Sequence, residues 1–265
     1  MEVRLILQAK MSSARFWLLS GLGAMMFIGL WSTLALIGVT APEFMPPPWV
    51  VLQRFTQLWT EPFAGAVLHT HVLASMQRFF MGFGIAVLLG LPLGLLMAWF
   101  RLIDRVVSPL FETVRFVAPI AWVPFAALWF GTGIGGPVLI IFMGAFPPIL
   151  INTYRGAKYV DRRYLEAAST LGASHWRNIT QVLLPAALPS IVAGLRISAG
   201  LGWQSLVGAE LIVASSGVGY LMVRGQANIS TATVMSGMIA IGIIGLLLDV
   251  LIRRIQQRVE AKRGL

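Results

Sequence analysis

Few residues in this chain could carry out chemistry, and the lysines are the first to test. A nucleotide-hydrolysing protein holds phosphate in a glycine-rich loop that ends in Gly-Lys-Ser or Gly-Lys-Thr. The chain has three lysines, and each follows an alanine: Lys10, Lys158 and Lys262. The sequence therefore excludes a phosphate-binding loop of this type, and any energy source must be another subunit or an ion gradient.

The three histidines and ten acidic residues also lack the spacing of a reaction centre. No His-Glu-x-x-His pattern occurs, and no acidic cluster has the spacing of metal ligands. The chain contains no Ser-His or paired-aspartate arrangement that would indicate a catalytic site. We therefore expect no catalytic residue, metal or cofactor in this chain, and we interpret His69 and His71 as interfacial side chains.

Two charges, Arg196 and Glu210, interrupt an apolar segment. They are 14 residues apart, close to four helical turns, so they share one stripe of a helix with Trp203. A charge inside such a segment costs about 2.5–3.5 kcal/mol, so the stripe should face protein or water. One hypothesis is that it lines a passage, with Gln204 alongside. The alternative, which we favour for the charges, is that each pairs structurally or snorkels near its end of the helix.

The composition places these residues in a membrane protein. The 265 residues are 57% hydrophobic and 11% charged, with a mean hydropathy of +0.81, whereas soluble domains carry about 25% charged residues. A soluble enzyme and a disordered chain are thereby excluded. Cysteine is absent, so no disulfide framework or thiolate site can form.

Apolar segments long enough to cross a bilayer recur along the chain, and each needs about 20 residues. A Gly-rich breaker over 131–137 divides the longest uncharged run into two spans. Three prolines punctuate the third span: Pro109, Pro119 and Pro124. We predict an all-α integral membrane protein with six transmembrane helices, over 16–39, 79–100, 106–130, 138–154, 189–213 and 232–252.

Basic residues orient this arrangement, because cytoplasmic loops are enriched in Lys and Arg. With the N-terminus inside, 15 of the 20 basic residues fall in cytoplasmic segments. We therefore predict that both termini are cytoplasmic, in segments 1–15 and 253–265, and that residues 1–265 form a single transmembrane domain. The charge of +10 reports topology, so nucleic acid is not an expected partner.

Local spacing predicts two further contacts. Glu112 and Arg115 stand at i, i+3 and should form an ion pair at the inner end of the third helix. Gly90 and Gly94 form a Gly-x-x-x-Gly pair that permits close approach of another helix.

The long polar loop between the fourth and fifth spans, residues 156–188, contains two predicted short helices. Asp161 and Ser174 are suitable N-caps, Gly172 can supply a turn with positive φ, and Pro185 should end the second helix. An apolar stripe on the second helix consists of Trp176, Ile179, Thr180 and Leu183. Periodicity alone leaves open whether this stripe binds a partner groove or packs under the membrane helices of its own chain.

The stretch EAASTLGASHWRNITQVLLP, residues 166–185, resembles the EAA loop of binding-protein-dependent ABC importer permeases. Their pattern is Glu-Ala-Ala, three residues, Gly, nine residues, Ile, one residue, Leu-Pro. The matching residues are Glu166, Ala167, Ala168, Gly172, Leu184 and Pro185, with Val182 in place of Ile. Further segments, including FMPPPWVVLQRF from Phe44 and GLRISAGLGWQSLVGAELI from Gly194, are similar to the nitrate/sulfonate/taurine branch of these permeases.

This resemblance implies a type I ABC importer permease fold in the bacterial inner membrane, with the EAA loop forming cytoplasmic coupling helices. It implies two ABC ATPase subunits that bind ATP and Mg, a second permease copy forming a homodimer, and a periplasmic or lipid-anchored solute-binding protein. The solute would be a small anion such as a sulfonate, taurine or nitrate. A gradient-driven secondary transporter or channel is the alternative. The candidate translocation-pathway residues are Trp122, Arg196, Trp203, Gln204 and Glu210.

Overall fold

The computed structural model describes residues 13–38, 40, 41 and 43–261, and the parts of the predicted terminal segments at 1–12 and 262–265 lie outside them. Among the described residues, five helices are long and apolar enough to cross a membrane, and a bent helix pair raises this number to six if it counts as one span. In chain order the helices are α1 (Ser13–Ile37), α2 (Pro48–Gln57), α3 (Leu68–Trp99), α4 (Arg101–Val114), α5 (Val123–Phe130), α6 (Gly135–Lys158), α7 (Arg162–Thr170), α8 (His175–Ile212), α9 (Val218–Ala227) and α10 (Thr231–Ala261).

The third span, predicted over 106–130 with three prolines that punctuate it, is bent sharply just before one of them, Pro119. The segment is broken between α4 and a 3₁₀ turn at Pro119–Trp122, and the two arms meet at 88°. Ala118 has an extended conformation, with ψ 139°, because the ring of the following proline disfavours helical geometry at the residue before it. The bend makes α4 and the turn leading to α5 two walls of a cleft.

The prediction that Pro185 ends the second loop helix, before the fifth span, is wrong. A single 38-residue helix, α8, runs through Pro185. Its turn at Asn178–Leu183 is widened to π geometry immediately before this proline, where the ring would otherwise clash with the preceding turn. The C-terminal part of loop 156–188 therefore belongs to the same continuous helix as the membrane span.

The second span begins at Leu68, 11 residues earlier than the predicted start at Phe79. Hydropathy stops the span at Arg78, but this side chain is buried and paired inside the protein. The charge is therefore compatible with the interior of a helix that composition alone would end.

Small residues let α3, α6 and α8 approach closely. A Cβ atom added to Gly90 would lie 2.9 Å from Ile149, and one added to Gly94 would lie 2.8 Å from Thr153. This confirms the predicted packing role of the Gly90 and Gly94 pair. Gly194 of α8 meets Asn152 of α6 in the same way, at 2.5 Å.

The shorter helices close one end of this three-helix core. Leu58, which follows α2, packs with Leu68 of α3, Val218 and Leu221 of α9 and Ala240 of α10. In contrast, none of the residues Trp17–Ile37 of α1 is fully buried, and the Trp31 indole donates to the carbonyl of Pro46, just before α2, at 3.2 Å. The core that positions the polar residues is therefore α3, α6, α8, α9 and α10.

Gly82 offers a direct test of this packing. A Cβ atom at Gly82 would lie 2.8 Å from the carbonyl oxygen of Val138 and 2.7 Å from Ile141, whereas one at Gly84 meets nothing within 4 Å. We expect Gly82→Ala to lower the free energy of unfolding by about 1–3 kcal/mol through overpacking, measured by thermal unfolding in detergent. Gly84→Ala on the same helix should be neutral or slightly stabilising; equal destabilisation by both would contradict the packing.

Candidate functional site

A buried ion pair joins α3 to α8 at the end of the core away from the α7 loop. The Arg78 guanidinium lies 2.8 Å from the Glu210 carboxylate, and the residues are only 5% and 2% exposed. Arg78 also donates to the carbonyl oxygen of Ser216 at 2.7 Å and to its hydroxyl at 2.5 Å. For Glu210, these contacts therefore support the alternative that its charge is held in a structural ion pair.

The same cluster holds the N-terminus of α9. The first amides of a helix have no partner in their own backbone, and here Glu210 accepts from Gly219 N–H at 3.0 Å while the Ser75 hydroxyl accepts from Val218 N–H at 3.0 Å. Ser75 in turn donates to the Glu210 carboxylate at 2.8 Å. The turn itself depends on Gly217, whose φ of +107° suits glycine.

His71 completes this cluster, so its interpretation as an interfacial side chain is wrong. It is 2% exposed, and its Nδ1 accepts from Gly217 N–H at 3.2 Å. Nε2 must then carry the proton, which it donates to the carbonyl of Phe63 at 3.0 Å. The neutral imidazole thus ties the chain before α3 to the turn before α9.

A cleft of about 370 Å³, lined mainly by apolar residues, opens beside the bend between α4 and α5. Arg115, Gln204, Ser205 and Gly208 contribute to its lining, and Gln204 is exposed to it. An adjoining cleft of about 210 Å³ shares Arg115 and is lined by Trp122. The predicted ion pair of Arg115 with Glu112 is present at 2.6 Å.

The candidate pathway residues are placed in two different environments. Trp122 and Gln204 line the clefts. Trp203 is buried, packs edge-on against Phe79 at 5.5 Å and donates to a carbonyl of α10. Arg196 pairs with Asp249 of α10 at 2.8 Å. The structure therefore brings Gln204 together with Arg115, and it places Glu210, Trp203 and Arg196 in contacts between helices.

The polar loop displays the residues of the EAA pattern on its surface. Asp161 caps α7 by accepting from Arg163 N–H at 3.0 Å, Ser174 caps the next helix, and Gly172 has φ +83°, as the local spacing predicts. Glu166 and Ala167 are exposed, Ala168 is half-buried, and Val182, Leu184 and Pro185 are half-buried on α8. The apolar stripe divides: Ile179 and Leu183 are buried, whereas Trp176 is 69% exposed.

A second polar cluster fastens α4 to the loop end of α6. Asp104 accepts from the Tyr154 hydroxyl at 2.8 Å, from Lys158 at 3.3 Å and from the Ser108 hydroxyl at 2.6 Å. The arm that carries Arg115 is thereby linked to the helix that leads into α7.

Several of these partners escape the sequence reasoning. His71, Ser75 and Arg78 stand at i, i+4 and i+7, a polar stripe in an otherwise apolar segment, and this spacing is the signal that could have placed them on one buried face. Asp249 likewise stands four residues before Arg253, with which it forms a 2.7 Å ion pair. The spacing of these residues does not predict which helices they contact.

A bundle of apolar helices with paired internal charges and a cleft that a few polar side chains enter defines a multi-pass membrane protein suited to transport. The chain belongs to the family described as the binding-protein-dependent transport system inner membrane component, which matches residues 90–264.

Relatives from several organisms match most of the chain. The taurine transport system permease protein TauC of Escherichia coli is 36% identical over 89% of this chain and 86% of its own length. The putative aliphatic sulfonates transport permease protein SsuC of Bacillus subtilis is 32% identical, with 91% and 86% covered. The bicarbonate transport system permease protein CmpB of Synechococcus elongatus is 33% identical, with 86% and 84% covered.

The fold is also that of a solved transporter. A chain of the MetNI methionine ABC transporter, in inward facing conformations, superposes with a TM-score of 0.62 at 19% identity and covers 81% of this chain and 98% of its own. The predicted type I importer permease fold is thus confirmed. At this identity the likeness concerns the fold alone.

The buried ion pair generates a stability prediction. Removing one partner leaves an uncompensated charge inside the protein, so Arg78→Gln or Glu210→Gln should each cost about 3–5 kcal/mol, measured by thermal unfolding in detergent. The double variant should recover part of this loss because no unpaired charge remains. Glu112→Gln, in the exposed pair with Arg115, should cost at most about 1 kcal/mol; comparable losses in all variants would argue against a special role for burial.

Proposed function

We propose that this chain is the membrane permease subunit of an ATP-driven importer, coupled through the α7 loop to a separate ATPase subunit. The observation that carries the proposal is the capped, exposed helix α7 at the end of the long helices. Apolar side chains on this polar loop point away from the chain: Tyr164 is 64%, Leu171 89% and Trp176 69% exposed. An exposed apolar cluster rimmed by charges is typical of a protein contact.

The contacts of α7 make it suitable for transmitting movement. The Asn178 amide donates to the Ser169 hydroxyl at 2.9 Å, and Leu165 packs in the cluster that contains buried Leu183 and Ala187. Since α8 continues without a break from this cluster to Glu210, a displacement of α7 would reach the cleft and the buried ion pair as a rigid-body movement.

The partner assignments follow from this coupling. Each chain has one EAA loop, so two ATPase subunits, which bind ATP and Mg, would require two permease copies, and we propose a homodimer. A periplasmic or lipid-anchored solute-binding protein would deliver solute, in keeping with the family description. The EAA residues proposed to meet the ATPase are Glu166, Ala167, Ala168, Gly172, Val182, Leu184 and Pro185. Both termini and the loop would then be cytoplasmic.

The proposed solute is a small anion that passes along the cleft beside the α4–α5 bend. Sulfonates and bicarbonate, which appear in the names of the relatives, are oxyanions, and a guanidinium matches oxyanion geometry. Arg115 provides a guanidinium group in the lining of this cleft, which Gln204 also lines, and Trp122 lines the adjoining cleft that shares Arg115. Opening to one side and then the other would constitute alternating access.

The coupling proposal can be tested at Glu166. Reversing its charge should abolish ATPase co-purification and ATP-dependent uptake in proteoliposomes, because α7 would present the wrong charge to its partner. Leucine at Gly172 should act similarly, since φ +83° is strained for any residue with a side chain. Membrane insertion should be unchanged in both.

The matched control is Glu61→Arg, which makes the same charge reversal at an exposed site before α3. It should leave ATPase binding intact. Normal ATP-dependent uptake in the Glu166 and Gly172 variants would refute the coupling role. Solute accumulation by vesicles that contain this chain alone would support a gradient-driven transporter instead.

The cleft can be tested with single cysteines, because the chain has none of its own. We expect Gln204→Cys to react with water-soluble methanethiosulfonates, and Leu247→Cys, exposed on α10, to be protected by lipid. When the rate of each reagent is divided by its rate with a free thiol, the anionic reagent should react with Gln204→Cys roughly tenfold faster than the cationic one. Arg115→Gln should remove this preference; its persistence would exclude Arg115 as the source of anion selectivity.

A further inference from the structure

The C-terminal part of α10 combines an apolar stripe with exposed positive charge. Ile243, Leu247, Leu251, Arg254 and Arg258 follow one another at intervals of four, four, three and four residues, which places them within one narrow face of a helix at 3.6 residues per turn. Leu247 is 63% and Leu251 54% exposed, and both arginines are exposed. The face is apolar towards the membrane centre and cationic beyond it.

The length of α10 places the change from apolar to basic at the membrane surface. Its 31 residues span about 46 Å at 1.5 Å per residue, whereas the hydrocarbon core is about 30 Å thick. A core counted from Thr231 therefore ends close to residue 250. Arg254 and Arg258 lie beyond this point, at the depth of the lipid headgroups.

The two arginines have no acidic partner among the side chains that the structure describes, in contrast to the neighbouring Arg253, which pairs with Asp249 at 2.7 Å. Asp249 is already shared with Arg196, so this part of the protein carries excess positive charge. The sequence continues with Lys262 and Arg263. Such charge at the end of a spanning helix attracts anionic lipid, and each basic residue near the membrane surface contributes about 1 kcal/mol to the binding free energy.

We propose that this face of α10 is a binding site for an anionic phospholipid, whose phosphate contacts Arg254 and Arg258 while its acyl chain lies along Leu251, Leu247 and Ile243. Charge complementarity selects the headgroup, and the exposed apolar stripe selects a lipid over a free phosphate. The proposal does not depend on the solute or on ATP coupling.

The test uses the full-length protein in non-ionic detergent, with bound lipid counted by native mass spectrometry during titration with dioleoyl phosphatidylglycerol or dioleoyl phosphatidylcholine. The unmodified protein should prefer phosphatidylglycerol. Replacing both arginines, Arg254→Gln with Arg258→Gln, should weaken phosphatidylglycerol binding about 30-fold, because the loss of about 1 kcal/mol at each arginine corresponds to this change in affinity. Phosphatidylcholine binding should be unchanged, which also verifies that the variant is folded.

A matched pair of arginines on α4 provides the control. Arg101 and Arg105 have the same i, i+4 spacing and are exposed, but Ser108 and Glu112 continue their helix face instead of an apolar stripe. Replacing both with glutamine should leave the preference for phosphatidylglycerol intact.

Four outcomes would overturn the site. They are equal affinity for the two lipids, an equal loss in the α4 control, displacement of the lipid by an equal concentration of glycerol phosphate, and a change in oligomeric state of the α10 variant. The third would indicate a free-anion site and the fourth a contact between copies of this chain.

Discussion

Every polar group inside the membrane must find its partner within the protein, and the architecture of this chain depends on that constraint. The Arg78–Glu210 pair illustrates it, because these two buried charges also form hydrogen bonds with Ser75, Ser216 and an amide of the first turn of α9. One cluster thereby joins α3, α8 and α9. Without it, the amides at the N-terminus of α9 would lack side-chain acceptors in an apolar environment.

Mechanical continuity follows from the same core. The α7 loop is bonded to the start of α8, α8 runs unbroken to Glu210, and Asp104 fastens the bent α4 arm to the end of α6. Close contacts through Gly82, Gly90 and Gly94 leave little space for α3 and α6 to move independently. A force applied at α7 would therefore act on the walls of the cleft rather than on the loop alone.

The local signals in the sequence were good predictors where the cause is local. Asp161, Gly172 and Ser174 act as caps and turn as predicted, and Glu112 pairs with Arg115. Prediction was wrong where a local rule met a tertiary contact or a competing local effect. Arg78 did not end the second span because Glu210 neutralises it, and Pro185 did not end a helix because the preceding turn widens. In the third span the bend lies at Pro119, one of the three prolines that punctuate it.

Hydropathy, capping and fixed spacing act over short stretches of chain, so the membrane character, the approximate positions of the spans, the EAA loop and the family resemblance could all be predicted from the sequence alone. The tertiary structure was needed to show that Arg78 is the partner of Glu210, that His71 is buried, and that Gln204 shares a cleft with Arg115. These pairings join residues from about 90 to more than 130 positions apart, and one-dimensional periodicity identifies the face of a helix but not the helix that it will meet.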